Sequence, residues 1–65
     1  MKNVNKQEIF AEYPDVLTVD ELIRMMRIGR NNAYDLLRSG KIRSFKVGKH
    51  YRITKKDAIS YLESI

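Results

Sequence analysis

The sequence predicts a small, mainly α-helical domain that carries one antiparallel β-hairpin. Apolar residues recur at helical spacing near residues 18–26, 30–39 and 54–65, and they alternate with polar residues over residues 42–53. The chain has 65 residues and no cysteine, which leaves room for one core and excludes disulfide bonds and thiolate metal sites. This size and composition favour a globular binding module over an enzyme with an enclosed pocket.

The N-terminal part, residues 1–16, is predicted to be an arm or a short helix that packs on a domain formed by residues 17–65. Ile9 and Tyr13 are four residues apart, so they share one face of a helical turn that ends before Pro14. In that arrangement they cover part of a small core. A mobile arm is the alternative.

Capping signals mark the starts of the first and last helices. Thr18 and Glu21 have the spacing of a capping box, and Leu17 with Leu22 have that of a hydrophobic staple. Thr54 is the expected N-cap of the last helix. The predicted core faces of these helices are Leu22, Ile23 and Met26 for the first, and Ala58, Tyr61, Leu62 and Ile65 for the last.

The second helix is expected from about Arg30 to Ser39, after a short turn that contains Gly29. Gly40 follows as a left-handed stop. Its apolar face consists of Ala33, Leu36 and Leu37, and its opposite face of Asn31, Tyr34, Asp35 and Arg38.

The alternating segment reads as a hairpin around Gly48, and two loops are compatible with it. A three-residue loop, Gly48–His50, pairs Val47 with Tyr51 and keeps one face apolar. A two-residue loop, Gly48–Lys49, would put Arg52 on the apolar face. The sequence therefore favours the three-residue loop.

Charge is concentrated in the middle of the chain. Residues 24–56 carry eleven Lys or Arg residues against the single carboxylate of Asp35, a net charge of +10. The flanking residues 1–23 and 57–65 are acidic, with net charges of −3 and −2. A basic block between acidic ends indicates a polyanionic partner, and nucleic acid is favoured over an acidic protein.

The order of helix, turn, helix, basic hairpin and helix describes a winged helix-turn-helix. The motifs Leu17-Thr-Val-Asp-Glu-Leu, Arg27-Ile-Gly-Arg-Asn-Asn-Ala-Tyr, Ser39-Gly-Lys-Ile, Val47-Gly-Lys and Ile53-Thr-Lys-Lys-Asp-Ala occur in this order. With these motifs the chain resembles the excisionase-type DNA-binding family. These are small winged-helix proteins of phages and integrative elements, related to the DNA-binding heads of mercury-resistance-regulator-type proteins. The resemblance covers about residues 16–63.

The resemblance implies that the second helix enters the major groove and that the hairpin, as a wing, contacts the adjacent minor groove or backbone. The expected recognition residues are Arg30, Asn31, Asn32, Tyr34 and Arg38, the expected wing residues are Lys46, Lys49, His50 and Arg52, and the backbone candidates are Lys41, Arg43, Lys55 and Lys56. Asn pairs bidentately with adenine and Arg with guanine. For Tyr34, a position at the flank of the core is as compatible with the sequence as a contact with DNA. Asp35 departs from the family pattern and either reads a cytosine amino group or pairs with Arg38.

The leading interpretation is a non-enzymatic, excisionase-like accessory factor that binds specific double-stranded DNA, bends it and helps a tyrosine integrase. A transcriptional regulator of the same mobile element and a module that binds an acidic protein are the alternatives. No catalytic set is expected, because the chain is too short to enclose a phosphodiester with general acids and bases around it. No metal site or cofactor is expected, since His50 has no histidine or cysteine partner. No membrane segment is evident either. We expect a cytoplasmic monomer of bacterial, phage or integrative-element origin that cooperates along DNA.

Overall fold

The computed structural model describes residues 9–65. Its elements are strand β1 (Val16–Leu17), helices α1 (Val19–Met26) and α2 (Arg30–Arg38), strands β2 (Phe45–Val47) and β3 (His50–Thr54), and helix α3 (Lys55–Ser64). The three helices and the β2–β3 hairpin confirm the predicted winged helix-turn-helix fold. What was predicted for residues 1–8 lies outside the described residues.

Helix α1 begins at the predicted capping box. The Thr18 backbone N–H donates to Glu21 Oε1 at 2.9 Å, and the Glu21 N–H donates to Thr18 Oγ1 at 3.1 Å. The helix ends at Arg27, which is left-handed with φ 58° and whose N–H donates to the Ile23 carbonyl at 2.7 Å. A non-glycine residue therefore makes the turn into α2, which the sequence did not indicate.

Helix α2 follows Gly29 as predicted and ends at Ser39, its C-cap. Gly40 has φ 81°, which confirms the left-handed stop. Ala33 and Leu37 are buried, whereas Leu36 is half-buried and packs against the edge of the core. The helix is thus held by two buried positions that are four residues apart, one turn along the same face.

Helix α3 begins at the predicted N-cap, where the Asp57 N–H donates to Thr54 Oγ1 at 3.1 Å. Its buried residues are Ala58 and Ile59, with Tyr61 and Leu62 partly buried beside them. The prediction that Ile65 belongs to this core face is wrong, since Ile65 follows the last helical residue and is 79% exposed.

The predicted hairpin loop is wrong. Strands β2 and β3 pair Val47 with His50 and Phe45 with Arg52, so the loop has two residues, Gly48 and Lys49. Gly48 has φ 63° and Lys49 has no positive φ, which is the pattern of a type II′ turn with glycine at its first central position. The turn fixes the register, and this register puts the side chains of Phe45 and Val47 on the exposed face of the hairpin, 47% and 57% accessible.

Strand β1 adds a third strand that the sequence did not reveal. The sheet has the order β1-β3-β2, and Leu17 of β1 lies opposite Ile53 of β3. Both side chains are fully buried, so the residue that precedes the α1 cap also joins the sheet to the core. A two-residue strand has no periodicity of its own, which is why the sequence pattern missed it.

The core lies between the inner face of the sheet and the helices. In α1 the buried positions are Val19, Leu22 and Met25, whereas Ile23 and Met26 of the predicted stripe are half-buried. Ile42, in the connection between α2 and β2, is 1% exposed, although the sequence assigned it no core role. Its N–H donates to the Leu36 carbonyl at 3.2 Å, which fixes the chain after Gly40.

The segment before β1 packs against the core through Phe10 and Tyr13. Their rings meet edge to face, with centroids 6.1 Å apart. Ile9, which was predicted to share this contact, is instead 57% exposed. None of the helices in residues 9–65 is both long and apolar enough to cross a bilayer.

Candidate nucleic-acid interface

The outward face of α2 is a row of exposed polar side chains. Ala33 and Leu37 point into the core, and the residues left exposed by that orientation are Arg30, Asn31, Asn32, Asp35 and Arg38. The placement agrees with the orientation predicted from the helical period, with base-reading residue types on the exposed face. These side chains are not needed to fill the core, so a ligand can reach their amide and guanidinium groups from solvent.

The first turn of α2 contains no acidic residue, and its N-cap, Gly29, has no side chain to bond the open backbone N–H groups. Arg30, the basic residue of this turn, is paired with an acidic residue of another helix. Arg30 Nη2 donates to Asp20 Oδ1 of α1 at 2.7 Å, with both side chains about 60% exposed. The hydrogen bond and the charge of Asp20 raise the pKa of Arg30 above its ordinary value, and Tyr34 adds a smaller contribution.

Arg38 at the other end of α2 also pairs with a carboxylate. Its Nη2 donates to Asp35 Oδ1 at 2.6 Å, three residues earlier on the same helix. Of the two roles that the sequence left open for Asp35, the structure shows the pair with Arg38. The pair is exposed, so it is weakly held and open to exchange with another anion.

Aromatic contacts connect α2 to the wing. The rings of Tyr34 and Tyr51 meet edge to face with centroids 6.0 Å apart. Lys46 Nζ lies 4.9 Å from the centroid of the Tyr51 ring, on the same face of the hairpin as its partner in the ladder. Tyr34 is therefore half-buried, and its ring joins α2 to the wing through the contact with Tyr51.

A groove separates α2 from the wing. Strand β1 pairs only with Ile53 and Thr54, so residues 50–52 of β3 border this groove on the side away from β2. The side walls come from the N-terminus of α1, the first turns of α2 and the wing, and the polar residues that line it include Asp20, Arg30, Tyr34, Lys49, His50 and Arg52. This concave surface thus brings together two predicted recognition residues, Arg30 and Tyr34, and three predicted wing residues, Lys49, His50 and Arg52. The other predicted residues of these two sets, Asn31, Asn32, Arg38 and Lys46, are not among the residues that line it.

Three of the predicted wing residues, Lys49, His50 and Arg52, line this groove. Lys49 is exposed in the turn itself, and His50 is exposed at the start of β3. Arg52 is half-buried, and its Nη1 donates to the Tyr51 carbonyl at 3.0 Å. Because cross-strand partners share a face, His50 and Arg52 lie on the face of Val47 and Phe45, whereas Lys46 lies on the face of Tyr51.

The predicted backbone-contact residues divide into two groups. Lys41 and Arg43 are exposed and border a second depression against α3, and Lys56 is exposed at the start of α3. Lys55, by contrast, donates its ammonium to the carbonyls of Tyr13 at 2.9 Å and Phe10 at 3.3 Å. This contact holds the N-terminal segment on the domain, so Lys55 has a structural partner where a phosphate contact was expected.

The family assignment follows from comparison with known proteins. A family model described as a helix-turn-helix domain matches residues 16–64, from β1 to the end of α3. The chain belongs to this family. It is also 35% identical over 40 residues to an excisionase of Streptomyces ambofaciens, an alignment that spans 62% of this chain and 64% of that relative. No solved structure matches the chain.

In helix-turn-helix domains the second helix lies in the major groove, with its N-terminal residues on base edges. The second helix of the helix-turn-helix in this chain is α2, with Arg30, Asn31 and Asn32 in its first turn. The part of the chain that the structure describes contains no cluster of three or more potential metal ligands. Sequence reasoning missed Asp20, because its pairing with Arg30 joins two helices and has no spacing signature.

Proposed function

We propose that the protein is a sequence-specific double-stranded DNA-binding protein, an excisionase-like accessory factor that bends its site and assists a tyrosine integrase. The observation that carries this proposal is the groove that brings the first turn of α2 and the cations of the wing onto one surface. The family and the excisionase relative support it from outside the structure.

The two sides of the groove have different tasks in this proposal. On the α2 side, Arg30 lines the groove. Asn31 and Asn32 follow it in the same turn, outside the groove lining, and supply exposed amide groups whose donor and acceptor match the N6 and N7 edge of adenine. On the wing, Lys49 and Arg52 supply charge, which fits phosphate and carries no sequence information by itself. Contacts on both sides of the groove favour DNA that curves around the domain, hence the proposed bend.

The strand chemistry in this proposal belongs to the integrase. A recombinase nucleophile would have to be an accessible tyrosine hydroxyl with acids and bases around it. The four tyrosines of this chain, Tyr13, Tyr34, Tyr51 and Tyr61, all pack against the core as partly buried side chains. The protein then acts as a bacterial or mobile-element factor in the cytoplasm, monomeric in solution and cooperative along DNA.

Binding should depend steeply on salt. If about five phosphates are neutralised by the basic block, log affinity should fall with log salt at a slope of about −4 to −5. A mobility-shift titration of a duplex at a series of salt concentrations measures this slope. A slope shallower than about −2 would contradict a DNA footprint for this block and would favour an acidic protein partner.

The wing should contribute affinity without discrimination. We expect Lys49→Ala and Arg52→Ala to weaken binding to specific and random duplexes alike, and each to make the salt slope less steep by about one. Lys6→Ala, which removes the same charge outside the basic block, is the matched control. Loss of site discrimination in Arg52→Ala, with random binding intact, would make the wing a reader of bases.

A further inference from the structure

We propose that the Asp20 carboxylate competes with DNA for Arg30: it occupies the guanidinium in the free protein, and a backbone phosphate displaces it in the groove between α2 and the wing. The inference rests on the proposed function, since it names the group that a bound phosphate must replace. It assigns Asp20 a role in setting how tightly DNA of any sequence is held.

The position of Asp20 is unusual for its charge. The groove is bordered by three cationic side chains, those of Arg30, Lys49 and Arg52, and among the described residues that line it Asp20 is the one acidic residue. A carboxylate on this surface opposes the attraction that the surrounding cations exert on a polyanion. Asp20 also stabilises its own helix, because an acidic residue in the first turn of α1 interacts favourably with the helix dipole.

The contact itself is one that a phosphate can replace. A single carboxylate oxygen, Asp20 Oδ1, accepts from a single nitrogen, Arg30 Nη2, at 2.7 Å. Both side chains are exposed, at 60% and 63%, so a ligand in the groove reaches the pair from solvent. An exposed ion pair of this kind is weak, whereas a phosphate can accept two parallel hydrogen bonds from the fork of a guanidinium.

Displacement leaves a negative charge beside the bound phosphate. The freed Asp20 carboxylate repels it or retains a cation there, which cancels part of the counterion release that drives binding. Because the cost is paid wherever Arg30 meets a phosphate, it applies to random and specific DNA equally. Asp20 thereby keeps the protein from binding tightly to every duplex that it meets.

The test is the isosteric substitution Asp20→Asn, which keeps an acceptor oxygen and removes the charge. We expect binding to specific and random duplexes to tighten by about three- to tenfold and the salt slope to steepen by up to about one. In an Arg30→Gln background the same substitution should give a clearly smaller gain, since the competition for the guanidinium is then absent and only the repulsion between Asp20 and the phosphates remains. Glu63→Gln, exposed on α3, removes an equal charge away from the groove and is the matched control.

Three results would overturn the inference. Weaker DNA binding by folded Asp20→Asn would mean that Asp20 holds Arg30 in its productive position. An equal gain from Glu63→Gln would mean that net charge alone matters. A gain of undiminished size in the Arg30→Gln background would exclude competition for that guanidinium. Failure of the wild-type protein to bind any duplex would instead contradict the proposed function. Circular dichroism of each protein shows whether a change in binding is due to unfolding.

Discussion

Leu22→Ala should unfold much of the protein at moderate temperature. Leu22 is fully buried in α1, in the same cluster as Leu17 and Ile53, so its removal leaves a cavity at the junction of helix and sheet. Such a truncation costs about 2–5 kcal/mol, and a domain of this size has a total stability of only about 3–10 kcal/mol. The melting temperature followed by circular dichroism should fall by about 10 °C or more.

Ile65→Ala is the matched control for Leu22→Ala. It deletes the same kind of aliphatic surface at a position that helical spacing assigns to the core and that the structure leaves 79% exposed. We expect a change within about 0.5 kcal/mol, as for other exposed substitutions. A loss in Ile65→Ala as large as that in Leu22→Ala would show that the end of α3 packs on the core after all.

The parts of the fold that the sequence predicted are those with local causes. The Thr18 and Glu21 capping box, the Thr54 cap and the left-handed Gly40 each depend on residues within a few positions of one another. Their spacing is therefore visible in the sequence. The helices that begin or end at these signals are found at the predicted positions, in the order that defines the winged helix-turn-helix.

The hairpin register was missed because the sequence offered two competing signals. An apolar face made of Phe45, Val47, Tyr51 and Ile53 favoured three loop residues, whereas Gly48 suits the first position of a two-residue turn. The turn prevails in the structure, and Ile53 is buried by β1 instead, opposite Leu17. That tertiary pairing has no local signature, so the sequence could not decide between the two.

The exposed polar face of α2 was predicted from the helical period, but only one of its two ion pairs was foreseen. Glu21 caps α1 as its spacing from Thr18 predicted, and Asp35 pairs with Arg38, one of the two roles predicted for it. Asp20 pairs with Arg30, a contact that the sequence did not indicate. Two of the cations expected to bind DNA therefore already have an anionic partner in the free protein. When DNA binds, each of these cations exchanges one anionic partner for another. The net free energy gained is therefore smaller than the full strength of the new contact.

Asn31→Ala should abolish much of the discrimination between sites while leaving the fold intact. Asn31 is exposed in the first turn of α2, where a helix-turn-helix domain contacts base edges, so the substitution should cost little stability. Loss of a bidentate adenine contact should weaken binding at the specific site by about 1–3 kcal/mol and change random binding little. The specific site is first obtained by selecting duplexes from a random pool with the wild-type protein.

The comparison that decides the role of α2 measures Asn31→Ala, Asn32→Ala and Arg38→Ala on the selected and on a scrambled duplex. Ser60→Ala, an exposed polar truncation on α3, is the matched control and should leave both affinities unchanged. Substitution of a base-reading residue on α2 lowers only the affinity for the selected duplex, because a scrambled duplex is held by its phosphates. If all three folded variants kept full discrimination, α2 would not read the sequence, and binding through charge alone or to an acidic protein would account better for the exposed basic surface.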